Sequence, residues 1–247
     1  VINMILKTIG SGSSGNCHLL TANNGETLIL DCGVPISEIK KGVNWNIKNV
    51  VGCVVTHHHR DHSKSVENLI NMGIPVFRPY KPLIMNQFLS NSYFTVRIFD
   101  LTTSDNKWIH TNSDGSECPC YGFLIEHPEM GKMLYITDCE FVKWRFNGIN
   151  HILLGVDYDK NMVDMSNPAK ASHVLRGHMS IDTACKFVET NYSPDDVKNV
   201  IMCHLSSENA DKDSFIEKMK KVACGANVDV AEPNKEWVLR KGDECPF

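Results

Sequence analysis

The pattern H-x-H-x-D-H at His57, His59, Asp61 and His62 gathers three imidazoles and a carboxylate within one short stretch of chain. Neutral imidazoles and carboxylates suit divalent zinc, manganese or iron, and a set without thiolates leaves open which of the three is bound. The run before it, residues 50–55, is apolar and β-branched, which predicts a buried strand whose end delivers the histidines into a cleft. Alternation along an extended segment sends His57 and His59 to one side, and a following turn brings Asp61 and His62 back to the same point. His58 and Arg60 then point away and read as surface or support residues. The same logic recurs twice. Residues 135–138 form an apolar run closed by Asp138, and residues 200–204 one closed by His204. A lone Asp or His at a strand end reads as a capped turn, whereas three such runs read as ligands collected at one edge of an α/β fold.

The elements that must position these groups follow from pattern. Strands are predicted over 5–9, 18–22 and 27–30, with Asn24-Gly25 a hairpin turn. A helix over 64–72 ends at Gly73, before a strand over 75–77. Strands return between 94 and 125 around a loop at 112–116, and further strands cover 133–137, 151–156 and 200–202. Helices are predicted over 181–189 and 213–222, and a last strand over 237–239. Two similar halves of strands and helices suit an αββα sandwich. With 247 residues, 42% of them hydrophobic, and no linker or repeat, the chain reads as one domain, 1–247.

Composition excludes several classes. No apolar stretch approaches the roughly 20 residues that span a bilayer, and the start lacks a signal-peptide layout, so a cytoplasmic protein without membrane contact is expected. Most of the ten cysteines, such as Cys53, Cys139, Cys185 and Cys203, sit in apolar runs and read as buried thiols of a reducing compartment. Cys118-Pro119-Cys120 lacks the spacing of a zinc ribbon or redox pair and reads as structural. The net charge of -4 rules out a globally basic surface, so any nucleic-acid groove must be local.

The sequence resembles the metallo-β-lactamase-fold hydrolases, and within them the YycJ/WalJ-like branch with its phage-encoded relatives. The resemblance rests on the block from His57 to His62, on residues 10–17 (GSGSSGNC), on Leu30-Asp31-Cys32-Gly33, and on Thr137-Asp138, Gly177-His178-Met179-Ser180 and Cys203-His204-Leu205-Ser206. It implies an αββα sandwich of the metallo-β-lactamase fold and two divalent metal ions, zinc first, manganese or iron as alternatives. His57 and His59 would bind one metal and Asp61 and His62 the second, with Asp138 bridging and His204 completing the second site. Two metals roughly 3.5–4 Å apart can hold a hydroxide between them and stabilise both oxygens of a displacement. Asp61, beside that water, could accept its proton.

One further histidine is expected on the first metal. His110 follows Lys107-Trp108-Ile109 and precedes a turn-rich loop in the expected order, whereas relatives carry His-Asp nearer the position of Ser116-Glu117. Either His110 is the ligand, which its place beside an apolar segment favours, or the first site is degenerate. His127, before Pro128, reads as a surface turn residue. His178 is either a phosphate-meeting group together with Arg176 at a helix start, or a bystander to a cap at Ser180. Asp31 reads as a group that orients a metal-binding histidine. Gly155 stands where the branch commonly has Glu. The expected activity is phosphodiester hydrolysis of nucleic acid, with DNA exonuclease first. The alternatives are hydrolysis of a small ester, thioester, lactone or cyclic nucleotide, and a binding module that has lost turnover. The oligomeric state is left open.

Overall fold

The computed structural model describes residues 3–80, 89, 92–112, 114–166, 174, 175 and 177–242. In chain order its strands are β1 (Met4–Gly10), β2 (Cys17–Thr21), β3 (Thr27–Leu30), β4 (Val50–Val54), β5 (Val76–Phe77), β6 (Thr95–Asp100), β7 (His110–Thr111), β8 (Glu117–Cys118), β9 (Tyr121–His127), β10 (Gly131–Ile136), β11 (His151–Gly155), β12 (Asn199–Cys203), β13 (Asn227–Val230) and β14 (Glu236–Leu239). The helices are α1 (Ile36–Gly42), α2 (Arg60–Ser63), α3 (Val66–Asn71), α4 (Ile181–Asn191) and α5 (Lys212–Val222).

One sheet runs β14-β1-β2-β3-β4-β5 and the other β13-β12-β11-β10-β9-β6, with β7 and β8 a separate ribbon. The strand patterns explain the layers. In β1 buried and half-buried residues alternate strictly, whereas β10, β11 and β12 are apolar runs buried on both faces. Between the sheets, Leu6, Leu20, Leu28 and Val54 of the first meet Phe123, Tyr135, Leu153 and Ile201 of the second. On the outer face of the second sheet, Ala184, Phe187 and Val188 of α4 and Phe215 and Met219 of α5 pack on Leu134, Ile152 and Val200. Ile39 of α1 and Leu69 of α3 cover the first sheet beside Ile29 and Cys53. The expected αββα sandwich is the fold.

Strands β3, β4 and β5 are parallel, as are β10 to β13, so their C-terminal ends share an edge within each sheet. The loops after β3, β4, β10, β11 and β12 carry Asp31, the His57–His62 block, Asp138, Asp157 and His204. Asp31 (φ 56°), Asp138 (φ 50°) and His204 (φ 59°) all adopt the left-handed conformation that few side-chain-bearing residues visit, each just past a strand end.

Four expectations are corrected. The helix expected over 64–72 is shorter, α3 from Val66 to Asn71, and a separate short helix α2 precedes it, so Asp61 and His62 stand on α2 and not in a turn. Helix α1 and strand β13 were not foreseen; both are short and lack a long periodic signal. His110 opens β7, with Cys118 opposite, where the sequence suggested it would end a strand. His127 is not at the surface: it is 5% exposed at the end of β9, its Nε2 2.9 Å from Glu26 Oε1 of the facing sheet.

Candidate metal centre

Among the described residues, four groups of side chains have ligand atoms close enough to hold a metal ion; two of them, His57, His59 and His110, and Asp61, His62, Asp138 and His204, carry the residues expected from the sequence, and a third joins Asp138 and His204 to Asp157 and His178. Asp138 lies between the first two. Its Oδ2 is 3.4 Å from His57 Nε2, 3.1 Å from His62 Nε2 and 4.0 Å from His110 Nε2, and its Oδ1 is 3.4 Å from His204 Nδ1. In the first group His110 Nε2 is 3.0 Å from His59 Nδ1. Of the three residues weighed for this position, the fold brings His110 among the imidazoles, while Ser116 and Glu117 are exposed on the neighbouring ribbon and loop.

Each histidine is held by its other ring nitrogen, which fixes the atom left to face the cleft. His62 Nδ1 is 2.7 Å from Asp31 Oδ2, and Asp31 in turn accepts hydrogen bonds from the Thr56 backbone N–H at 2.8 Å and Tyr135 Oη at 2.6 Å. His204 Nδ1 is 2.6 Å from Asp157 Oδ1, and the His204 backbone N–H donates to Ser11 Oγ. His110 Nδ1 donates to the Gly177 carbonyl at 3.2 Å, and His59 Nε2 to Asn112 Oδ1 at 3.0 Å. Asp31 thus sits where the sequence reading put it, against a histidine of the cluster.

Two glycines permit this packing. A Cβ at Gly33 would fall 1.7 Å from the Asp61 carbonyl oxygen, and one at Gly177, whose φ is +77°, would fall 2.7 Å from His110 Nδ1. At Gly155, where the resemblance implies a Glu, a Cβ would lie 3.0 Å from the Thr137 Cα. The strand before Asp138 occupies the space that a larger residue would need.

Asp157 was missed by sequence reasoning. It closes the buried run of β11 as Asp138 closes that of β10. Its Oδ1 lies 2.6 Å from His204 Nδ1 and 3.0 Å from His178 Nδ1, and its Oδ2 accepts from the Met179 backbone N–H. The two rings it holds stack with planes 14° apart. Both readings of the 178–180 segment have a counterpart: His178 lines the cleft, and Ser180 caps α4 through the Thr183 backbone N–H. Arg176 lies outside the described residues. Asn16 was also missed as a contact; its amide is 3.0 Å from His62 Nε2 and its Oδ1 accepts from the Gly12 N–H, so the glycine-rich turn abuts the centre.

His58 is exposed, with Nδ1 3.6 Å from Cys118 Sγ. Those two and His59 also lie within ligand range of one another, but burial pushes the Cys118 thiol up to about 12, which keeps it protonated. Among the described residues the nine cysteines are free.

The donor set fits divalent cations. His57 Nε2 and His204 Nε2 are buried without a hydrogen-bond partner, the latter 3.7 Å from Asp61 Oδ2. A cation in each group would satisfy the orphaned nitrogen of that group. Burial pushes the His57 imidazole well below its usual range and that of His110 down to about 4, which leaves both neutral and ready to donate a lone pair. Burial acts in the same direction on His62, but Asp138 and Asp31 outweigh it and hold that group up at about 10. His204 is likewise raised by Asp138 and Asp157 against the effect of burial. The Asp138 carboxyl, which burial alone would raise, is held well below its usual range by His204 and His62. Without metal, protons on His62 and His204 neutralise the buried carboxylates. The cleft itself is about 600 Å³, lined by the cluster with Ser13, His58, Arg60 and Asn112.

Comparisons with known proteins agree with this fold. The family described as Anti-Pycsar protein Apyc1 matches residues 6–92. Exodeoxyribonuclease YycJ of Bacillus anthracis is 25% identical over 221 residues, 81% of this chain and 82% of that protein. Among solved structures, the metallo-β-lactamase-fold protein YhfI of Bacillus subtilis aligns over 96% of this chain and 99% of its own with TM-score 0.65 and 17% identity. The short form of human tRNase Z, ELAC1, aligns over 95% and 98% with TM-score 0.56 and 14% identity. The chain has the metallo-β-lactamase fold. In sequence it is similar to YycJ.

Two predictions follow from the cluster. A metal needs neutral imidazoles, whereas His62 and His204 carry protons at neutral pH in the metal-free protein, so metal binding at pH 7 releases protons. The share released by His62 fades as the pH rises through about 10, where that ring is already neutral. Calorimetry in buffers of different ionisation enthalpy reads the proton count; zero release at pH 7 would contradict this electrostatic picture. The second concerns Asp157→Ala, which frees the His204 and His178 rings and is expected to weaken metal binding roughly 10–100-fold, measured by competition with a chelator. Unchanged affinity would show that Asp157 is not what orients His204.

Proposed function

We propose that this chain is a two-metal phosphodiesterase acting on nucleic acid, with DNA exonuclease the first reading. The observation that carries it is the buried Asp138 carboxylate standing between an all-imidazole group and a mixed Asp/His group within one cleft. The similarity to a protein named exodeoxyribonuclease supports the substrate class. His57, His59 and His110 would hold one ion, and Asp61, His62 and His204 the other, with Asp138 shared. Zinc suits the nitrogen-rich first group best, with manganese or iron as alternatives. When bound, such ions polarise a phosphoryl oxygen and supply a nucleophile at neutral pH.

The remaining steps belong to the chain. The Asp61 carboxylate is 26% exposed to the cleft and is the group able to accept a proton from attacking water. Burial opposes the charge on His178, but Asp157 outweighs it and raises that imidazole, which can then donate to a phosphate oxygen. Asp157 fixes the ring from behind. A thiol-rich interior suits the cytoplasm, and a shared core between the sheets suits one domain over 1–247.

A small cyclic nucleotide is the second reading. It is favoured by one observation: Arg60 is the only Lys or Arg lining the cleft among the described residues, enough for one phosphate but few for a polymer.

Assay of the metal-loaded protein against linear DNA, RNA, cyclic nucleotides and thioesters is expected to show cleavage of linear DNA. Asp138→Ala and His59→Ala should each lower turnover at least about a hundredfold while the fold is kept. Metal analysis should find one of two ions lost from His110→Ala and both retained by Glu117→Ala. The reverse pattern would transfer the ligand role to the loop, and turnover of thioesters alone would overturn the phosphodiesterase reading.

A further inference from the structure

Beyond Asp138 the chain runs as an extended segment across the outer face of the second sheet, beside α4. The Phe146 backbone N–H donates to Asn191 Oδ1 at 2.7 Å, and the Phe146 ring packs near Phe187. Between this segment and the helix lies a groove of about 330 Å³. Its walls carry Lys143, Arg145 and Lys186, and no carboxylate among the described residues lines it, although the chain as a whole has a net charge of -4. Two aromatic rings stand open beside these cations: Phe141 is 36% exposed and Trp144 44%.

The groove adjoins the candidate metal centre. Phe141 follows Asp138 by three residues, so their Cα atoms are at most roughly 11 Å apart. Glu140, between them, accepts a hydrogen bond from the Gly177 backbone N–H at 2.9 Å, and the Gly177 carbonyl accepts from His110. Thr183, at the other wall, is tied to Ser180, two residues beyond His178. The Trp144 ring is fixed in place: its Nε1 donates to the Asp100 carbonyl at 3.0 Å, and Lys143 Nζ sits 4.9 Å from the ring centre while donating to Thr102 Oγ1.

We propose that this groove is a binding track for a single-stranded polynucleotide whose reacting phosphodiester lies in the metal cleft. The cations answer the backbone phosphates, and the exposed rings offer stacking faces that only unpaired bases can use. A duplex keeps its bases stacked on one another and gains nothing from Phe141 and Trp144. The track also supplies the positive charge that the cleft lacks for a polymer. The proposal deepens the phosphodiesterase reading and rests on it for the reaction, though not for the binding.

The test uses the metal-loaded full chain and fluorescence anisotropy with a labelled single-stranded phosphorothioate oligonucleotide, the matching duplex, and bis-p-nitrophenyl phosphate as a small substrate. The exposed pair Arg145→Gln/Lys186→Gln should weaken single-strand binding at least about tenfold at low salt. It should also make the slope of log affinity against log salt shallower by about 0.7 for each cation removed. Trp144→Ala should weaken single-strand binding severalfold and Trp144→Phe should restore most of it, because an aromatic face is retained. Hydrolysis of bis-p-nitrophenyl phosphate should be unchanged in all three variants. Single-strand affinity and salt slope equal to those of the unaltered protein would overturn the proposal, and so would an equal loss of duplex binding. If the unaltered protein fails to hydrolyse bis-p-nitrophenyl phosphate, the phosphodiesterase reading falls on that result, while the anisotropy comparison still decides the groove.

Discussion

Asp138 is a carboxylate 3% exposed to solvent, and a charge so placed is costly unless it is compensated. The compensation comes from His57, His62 and His204, each within 3.4 Å of its oxygens. Counting Asp138 itself, these groups follow three strand ends in two different sheets, so the compensation exists only when the sandwich is closed. The edge of the fold and the charge balance of the centre are therefore one problem. Its apparent solution is a set of imidazoles that carry protons without metal and give them up to it.

The backbone bears part of the cost. Asp31, Asp138 and His204 hold left-handed conformations at the point where each chain leaves its strand, and such residues persist only where the surroundings over-determine them. Here the surroundings are explicit. Asp31 is gripped by Thr56 and Tyr135, His204 by Asp157 and Ser11, and the Gly33 backbone lies too close to Asp61 for any side chain. The carboxylates behind the rings do for direction what the ligand atoms do for charge: they leave each imidazole one nitrogen to offer.

Most of the centre was legible because its ligands end apolar runs, and an apolar run ending in Asp or His is visible without a structure. That pattern located Asp138 and His204, and the clustered block located His57 to His62. Residues 151–157 repeat the pattern and end on Asp157, so the same signal marks that carboxylate too. His127 was misread because a residue before proline looks like a turn, and its partner Glu26 lies about a hundred residues earlier, beyond any local signal. The short helix α2 and the late start of α3 were hidden for a similar reason. Ser63 Oγ bonds the His58 and His59 carbonyls, and Ser65 Oγ bonds the Val34 carbonyl, contacts that depend on the closed loop and not on periodicity. The groove beside α4 left no motif, because its cations come from two segments some forty residues apart.

The central claim is that one buried carboxylate is shared by two metal positions of different composition. Anomalous diffraction from crystals grown with zinc tests it most directly. The account predicts two peaks flanking Asp138, one within reach of His57, His59 and His110 and the other within reach of Asp61, His62 and His204. A single peak, or a peak whose ligands include Cys118 or Glu117 in place of His110, would contradict it.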